Sequence, residues 1–75
     1  MLLRGDVVFP DGSATFFRTE KSKPIEWIVA AKVPTSEDEG QWRMVGFALD
    51  EKGAKEDAKH WAEGTAIKVS LKDEG

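Results

Sequence analysis

Few residues of this chain are of a type that performs catalysis, and His60 is the only histidine. It lies beside Trp61 on the charged side of a predicted helix, with Glu56 one turn earlier, so we expect it to face solvent. General-base catalysis requires a histidine that faces a pocket and has an orienting partner. The chain has no cysteine, which excludes thiolate metal sites and cysteine nucleophiles. The sequence therefore predicts a protein that is not an enzyme, with no metal site and no cofactor.

Three consecutive acidic residues, Glu37, Asp38 and Glu39, form the centre of a predicted loop over residues 34–40. Carboxylates bind hard cations, but a calcium loop needs oxygen ligands spaced along a longer segment. An acidic run can instead steer a protein onto a basic partner surface. We predict these three residues as binding residues, and simple solvation of the loop is the open alternative.

The composition is typical of a small soluble domain. The 75 residues are 40% hydrophobic and 33% charged, and the formal net charge is −3. No apolar run approaches the roughly 18 residues of a membrane span, and the N-terminus lacks a secretion-signal pattern. We predict a single domain over residues 1–75 with a frayed tail at 73–75. The expected location is the cytoplasm, which suits a chain without cysteines.

Two alternating stretches predict an N-terminal hairpin. Residues 2–9 and 13–20 alternate as strands do, and Pro10-Asp11-Gly12 between them has the residue types that a tight turn requires. The turn predicts a register with three opposed pairs: Asp6 with Phe16, Arg4 with Arg18, and Val8 with Ala14.

The remainder of the chain predicts an α+β fold. Alternating or apolar stretches indicate three further strands, at residues 25–33, 42–49 and 65–72. Asp50 is predicted to cap a helix that begins near Glu51, packs through Trp61 and ends through a left-handed Gly64. The predicted order is β-β-β-β-α-β, a four- to five-stranded antiparallel sheet with one helix packed on one face.

A single short helix covers one face of such a sheet, which leaves the second face as a candidate interaction surface. The odd positions of 25–33 are all apolar and predict its core side, so Ile28 is expected on the second face. The strand at 42–49 is apolar on both sides, and which side is buried stays open.

The predicted second face supplies the remaining candidate binding residues. They are the apolar side chains and the arginines at its rim: Phe16, Ile28, Trp42, Arg4 and Arg18. Tryptophan and arginine are enriched at the centres of protein interfaces. A sheet that curls to bury both faces, and a homodimer that closes over this face, are the two open alternatives.

Part of the chain resembles the three-strand-plus-helix DNA-binding domains of the AP2 and phage-integrase type. The resemblance covers residues 25–63 and rests on Trp27-Ile28-Val29-Ala30, on Trp42-Arg43-Met44-Val45-Gly46-Phe47 and on the alanines of the helix. It implies a sheet that enters the major groove and basic residues that contact bases and phosphates. Here the acidic run 37–39 falls between the two strands that would approach DNA.

In size and acidity the whole chain is similar to the small inhibitors encoded by phages and mobile elements, the anti-CRISPR proteins among them. That similarity implies a non-enzymatic binding module that blocks a surface of a protein partner. The alternative is nucleic-acid binding through four basic residues with two aromatic stacking platforms. These residues are Arg4, Arg18, Lys32 and Arg43, with Phe16 and Trp42. We predict a protein partner ahead of nucleic acid, and no membrane association.

Overall fold

The computed structural model describes residues 1–34 and 40–74, which form six strands and one helix. The strands are β1 (Leu2–Val8), β2 (Ala14–Glu20), β3 (Trp27–Val33), β4 (Gln41–Ala48), β5 (Thr65–Lys68) and β6 (Ser70–Asp73). The helix, α1 (Glu51–Ala58), lies between β4 and β5 in the chain. The predicted α+β class is confirmed. The acidic residues Glu37, Asp38 and Glu39 lie outside the described residues.

The strands form two antiparallel sheets, where the sequence predicts one sheet of four to five strands. The first sheet has the order β2-β1-β6, and the second has the order β4-β3-β5. The predicted strand at 65–72 is divided between them, because β5 pairs with β3 and β6 pairs with β1. The division falls at Val69, whose N–H donates to the Glu26 carbonyl at 2.9 Å. A change of partner strand at one residue therefore turns the predicted sheet into two.

The two sheets pack against each other, and α1 covers the other face of the second sheet. The core between the sheets contains five buried residues: Val7, Phe9, Ile28, Ala30 and Val69. A smaller core lies under α1 and contains Val29, Ala54 and Ala58. Strand β3 contributes to both cores, so it is buried on both faces and occupies the centre of the fold.

A bulge in β4 explains why the sequence did not predict its buried side. Val29 pairs with Gly46 and Ala30 pairs with Met44, which leaves Val45 as the extra residue. Before the bulge, Met44 packs on the core between the sheets, whereas Val45 and Ala48, one odd and one even position, both pack on the core under α1. The alternation thus changes phase within the strand, and each side contributes to a core.

The N-terminal hairpin has the predicted register, with Asp6 opposite Phe16 and Arg4 opposite Arg18. Gly12 has a φ of 92°, the left-handed conformation that the turn requires. The Asp11 carboxylate accepts hydrogen bonds from the Ser13 hydroxyl at 2.6 Å and from its N–H at 2.9 Å. The bond from the Ser13 hydroxyl is the main reason that the pKa of Asp11 is below its ordinary value, and the bond from the Ser13 N–H lowers it further.

The helix begins as predicted but is shorter than predicted. The Asp50 carboxylate accepts a hydrogen bond from the Gly53 N–H at 2.7 Å, an N-cap. The helix ends at Ala58, so Trp61 follows it in a turn and is 42% exposed instead of anchoring it. Gly64 does not have a positive φ, in contrast to the left-handed conformation expected for it.

The C-terminal residues are held to the first sheet, where a frayed tail is predicted. Asp73 ends β6 and pairs with Leu3. The Glu74 N–H donates to the Leu2 carbonyl at 3.4 Å, and its carboxylate accepts from Arg18. Residue 75 lies outside the described residues.

Candidate functional site

The strongest candidate site is the outer face of the first sheet, which neither the second sheet nor the helix covers. Side chains of successive strand residues alternate between faces. Val7 and Phe17 point into the core between the sheets, so their even-numbered neighbours point outward. We define the outer face by the even residues of β1, β2 and β6 together with Glu74. Those on which the site depends are Leu2, Arg4, Asp6, Val8, Phe16, Arg18, Glu20, Lys72 and Glu74.

Phe16 lies on β2, the edge strand of this outer face, and is 46% exposed. The Arg4 guanidinium carbon lies 4.1 Å from the centroid of its ring, and that of Arg18 lies 5.8 Å away. Both distances are within the range of a cation–π interaction. The register explains the arrangement, because Arg4 pairs with Arg18 and Phe16 lies two residues before Arg18 on β2. The two arginines therefore flank one aromatic ring and limit its motion.

Carboxylates on the same face hold both guanidinium groups in place. Arg4 Nε donates to Asp6 Oδ1 at 2.9 Å, and Arg18 Nε donates to Glu74 Oε1 at 2.9 Å. Lys72 Nζ lies 3.9 Å from the second oxygen of Asp6. Exposed ion pairs contribute only about 0–1 kcal/mol to stability. Their effect here is to orient the arginines and to neutralise the charge of the face.

Exposed apolar side chains extend the face on β1. Leu2 is 41% exposed, and Val8 is 61% exposed. Val8 is diagonal to Phe16 across the hairpin and extends its apolar surface, whereas Leu2 lies at the other end of β1, beyond Arg4 and Asp6. A rigid aromatic anchor with flanking arginines has the composition of a protein-interface centre.

Two of the predicted binding residues are in the core and not on this face. Ile28 is 0% exposed and packs between the two sheets. Trp42 is half-buried and packs on the same core. The prediction that Ile28 lies on an exposed second face is wrong, because the first sheet covers the side of β3 opposite the helix. Of the predicted residues on described segments, the structure brings together Arg4, Phe16 and Arg18.

The cations of the alternative nucleic-acid site do not converge. Arg4 and Arg18 lie on the outer face of the first sheet, whereas Lys32 and Arg43 belong to the second sheet. Lys32 pairs with Trp42, and Arg43 pairs with Ala31, so they point to opposite faces. The four basic residues and two aromatic residues of that prediction are therefore distributed over three surfaces.

A concave feature that the sequence did not predict lies at the end of α1. It is an open groove of about 430 Å³ lined by Lys55, Ala58, Lys59, Trp61, Gly64, Thr65 and Ala66. Lys55 forms an ion pair with Glu51 at 2.8 Å. Trp61, which follows the end of the helix and is half exposed, is the only aromatic side chain among the described residues that line this groove.

The described residues contain no cluster of three or more histidine, aspartate or glutamate side chains placed to hold a metal ion. His60 is solvent-exposed, and its Nδ1 lies 3.9 Å from an oxygen of Asp57. Among residues 1–34 and 40–74, no helix is both long enough and apolar enough to cross a membrane.

Comparisons with protein families, with curated proteins and with solved structures find no match for this chain.

Proposed function

We propose that the protein is a small non-enzymatic binding module that docks the outer face of its first sheet on a protein partner and blocks that partner's surface. Phe16 is the anchor of this interface, and Arg4 and Arg18 are its polar flanks. The cytoplasm, which suits a chain without cysteines, is the proposed location. Occlusion of a host assembly is how the small acidic inhibitors of phages act, and the same mode of action is proposed here.

One observation carries the proposal. Phe16 is half exposed on a sheet whose inner face is packed in the core, and the Arg4 guanidinium carbon lies 4.1 Å from the centroid of its ring. Burying a water-exposed aromatic ring under a partner surface lowers the free energy. Aromatic residues and arginines supply most of the binding free energy in protein interfaces. Because this ring is already restrained, little conformational entropy is lost when a partner covers it.

The charge balance of the face favours a protein over a nucleic acid. Three basic side chains on the outer face, Arg4, Arg18 and Lys72, are matched by the acidic side chains of Asp6, Glu20 and Glu74. Both arginines already donate to carboxylates. Nucleic-acid binding depends on cations that neutralise phosphates. Phosphates would have to displace these carboxylates, whereas an apolar protein surface could cover Phe16 and leave the ion pairs at the rim.

The expected result for Phe16→Ala is a loss of partner binding of about 2 kcal/mol or more, which is roughly 30-fold in the dissociation constant. The substitution removes the central aromatic anchor but no core side chain, so the circular dichroism spectrum should not change. The measurement is the affinity for the protein that the immobilised wild-type chain captures from a nuclease-treated cell extract.

Trp61→Ala is the matched control, since Trp61 is another exposed aromatic residue and lies near the end of α1. It should leave the affinity within about twofold of wild type, as expected for a residue outside the interface. Equal losses for both variants would contradict the proposed site. Tight binding of labelled oligonucleotides that weakens steeply with salt would replace the protein partner by a nucleic acid.

A further inference from the structure

The outer edge of β2 has the properties of an unoccupied pairing site. In the sheet order β2-β1-β6, β2 is a terminal strand, and within the described residues no strand pairs with its outer side. Strand β4 is also terminal, but its bulge interrupts the ladder, which is a common device against edge-to-edge pairing. Strand β2 pairs with β1 over seven consecutive residues without a register shift. It contains no proline, lysine or glycine.

The hydrogen bonds at the two ends of the hairpin show which β2 groups point toward this edge. The Phe9 N–H donates to the Ser13 carbonyl at 2.8 Å, and the Lys21 N–H donates to the Met1 carbonyl at 3.2 Å. Bonded and non-bonded pairs alternate in an antiparallel ladder, so the odd residues of β2 bond to β1. The N–H and C=O groups of its even residues therefore point outward. These residues are Ala14, Phe16, Arg18 and Glu20. The Glu20 carbonyl already accepts from the Lys23 N–H at 3.3 Å, so the edge is open chiefly along Ala14, Phe16 and Arg18.

This edge is complementary to itself. If a second β2 pairs with it in the antiparallel direction about a two-fold axis at Phe17, every outward residue meets another outward residue. Phe16 then lies opposite Arg18 of the second copy, and Ala14 lies opposite Glu20. The Arg18 guanidinium, which already lies 5.8 Å from its own Phe16 ring, gains a second ring on the opposing strand. The inner residues of β2 are uncharged, so the pairing buries no charge on that side.

We propose that the protein forms a homodimer through this edge, with two β2 strands joining the first sheets of both copies into one six-stranded sheet. The occupant of the edge is a second copy of this chain, because one register pairs the outward N–H and C=O groups of Phe16 with those of Arg18 and forms the same side-chain pair twice. The inference concerns the edge of the sheet and not its outer face, but Phe16 and Arg18 belong to both. Dimerisation is measured on the isolated chain, so its test stays separate from the test of partner binding.

Arg18→Pro and Arg18→Ala form a matched pair that tests this dimer by sedimentation and light scattering over a wide range of concentration. Both variants lose the Arg18 side chain, but only proline also removes the outward N–H, and edge strands tolerate proline. We expect a dimeric wild type and an Arg18→Ala variant that still dimerises, but more weakly, because it loses the contact with Phe16 of the second copy and keeps the backbone hydrogen bonds. For Arg18→Pro we expect a dissociation constant about tenfold or more above that of the alanine variant, because two symmetry-related bonds are lost.

A monomeric wild-type chain at every concentration would overturn the proposal, as would a dimer that Arg18→Pro leaves intact. Hydrogen exchange on the wild-type chain gives a test that requires no variant. In the dimer the N–H groups of Phe16 and Arg18 are protected as strongly as that of Phe17. Rapid exchange at both positions at the highest concentration, with Phe17 protected, would show that the edge is open to water and would also overturn the proposal.

Discussion

Replacing Ile28 with alanine is expected to lower the free energy of unfolding by about 2–5 kcal/mol. Ile28 is fully buried where β3 meets the first sheet, in contact with the core that includes Val7 and Phe9. Its truncation removes several apolar contacts and leaves a cavity that two packed sheets fill only in part. Small domains are stable by only about 5–15 kcal/mol, so a large share of the stability would be lost.

Urea denaturation at one temperature, with the slope compared between variants, measures this change. Val8→Ala is the control, because Val8 is 61% exposed and should change the free energy of unfolding by no more than about 0.5 kcal/mol. A loss below about 1 kcal/mol for Ile28→Ala would mean that the first sheet does not cover β3. It would restore the exposed position that strand alternation predicts for Ile28.

Replacing Gly64 with alanine is expected to destabilise the fold by about 1–3 kcal/mol or more. An added Cβ at this position would overlap the Ala58 carbonyl oxygen and come within 3.0 Å of the Trp61 Cβ. The overlap is with backbone at the end of α1, so rotation of a flexible side chain does not relieve it. The turn that connects α1 to β5 must shift, and the groove beside Trp61 must change shape with it.

Thermal and urea denaturation of Gly64→Ala measure this effect, and Glu63→Ala is the control at the preceding, exposed position. The control should remain within about 0.5 kcal/mol of wild type. If Gly64→Ala is as stable as the control, residue 64 does not lie as close to the Ala58 carbonyl as described here. The glycine would then have no packing role in the turn.

The hairpin could be predicted because its determinants are local. Pro10-Asp11-Gly12 selects a tight turn, the turn selects the register, and the register brings Arg4, Phe16 and Arg18 together. The helix N-cap is equally local, since Asp50 needs only the backbone N–H three residues later. The predicted site residues that the structure brings together are therefore the ones that a single hairpin positions.

The division into two sheets could not be predicted, because it depends on long-range pairing. Residues 65–72 alternate without interruption, and nothing local marks the change of partner strand at Val69. The bulge at Val45 likewise depends on the opposing strand β3. Ile28 was placed on the wrong surface for the same reason: alternation separates two faces of a strand, but it does not show how many layers cover them.

A map of the partner's footprint on the isotope-labelled chain, from the NMR shifts of backbone amides, tests the proposed binding face most directly. The captured protein would be added stepwise to the wild-type chain. We expect the largest shifts in β1, β2 and β6, centred on Phe16, with little change in α1 or at Trp61. Shifts concentrated at the groove beside Trp61, with β1 and β2 unaffected, would contradict the proposed site and move the binding surface to the other end of the fold.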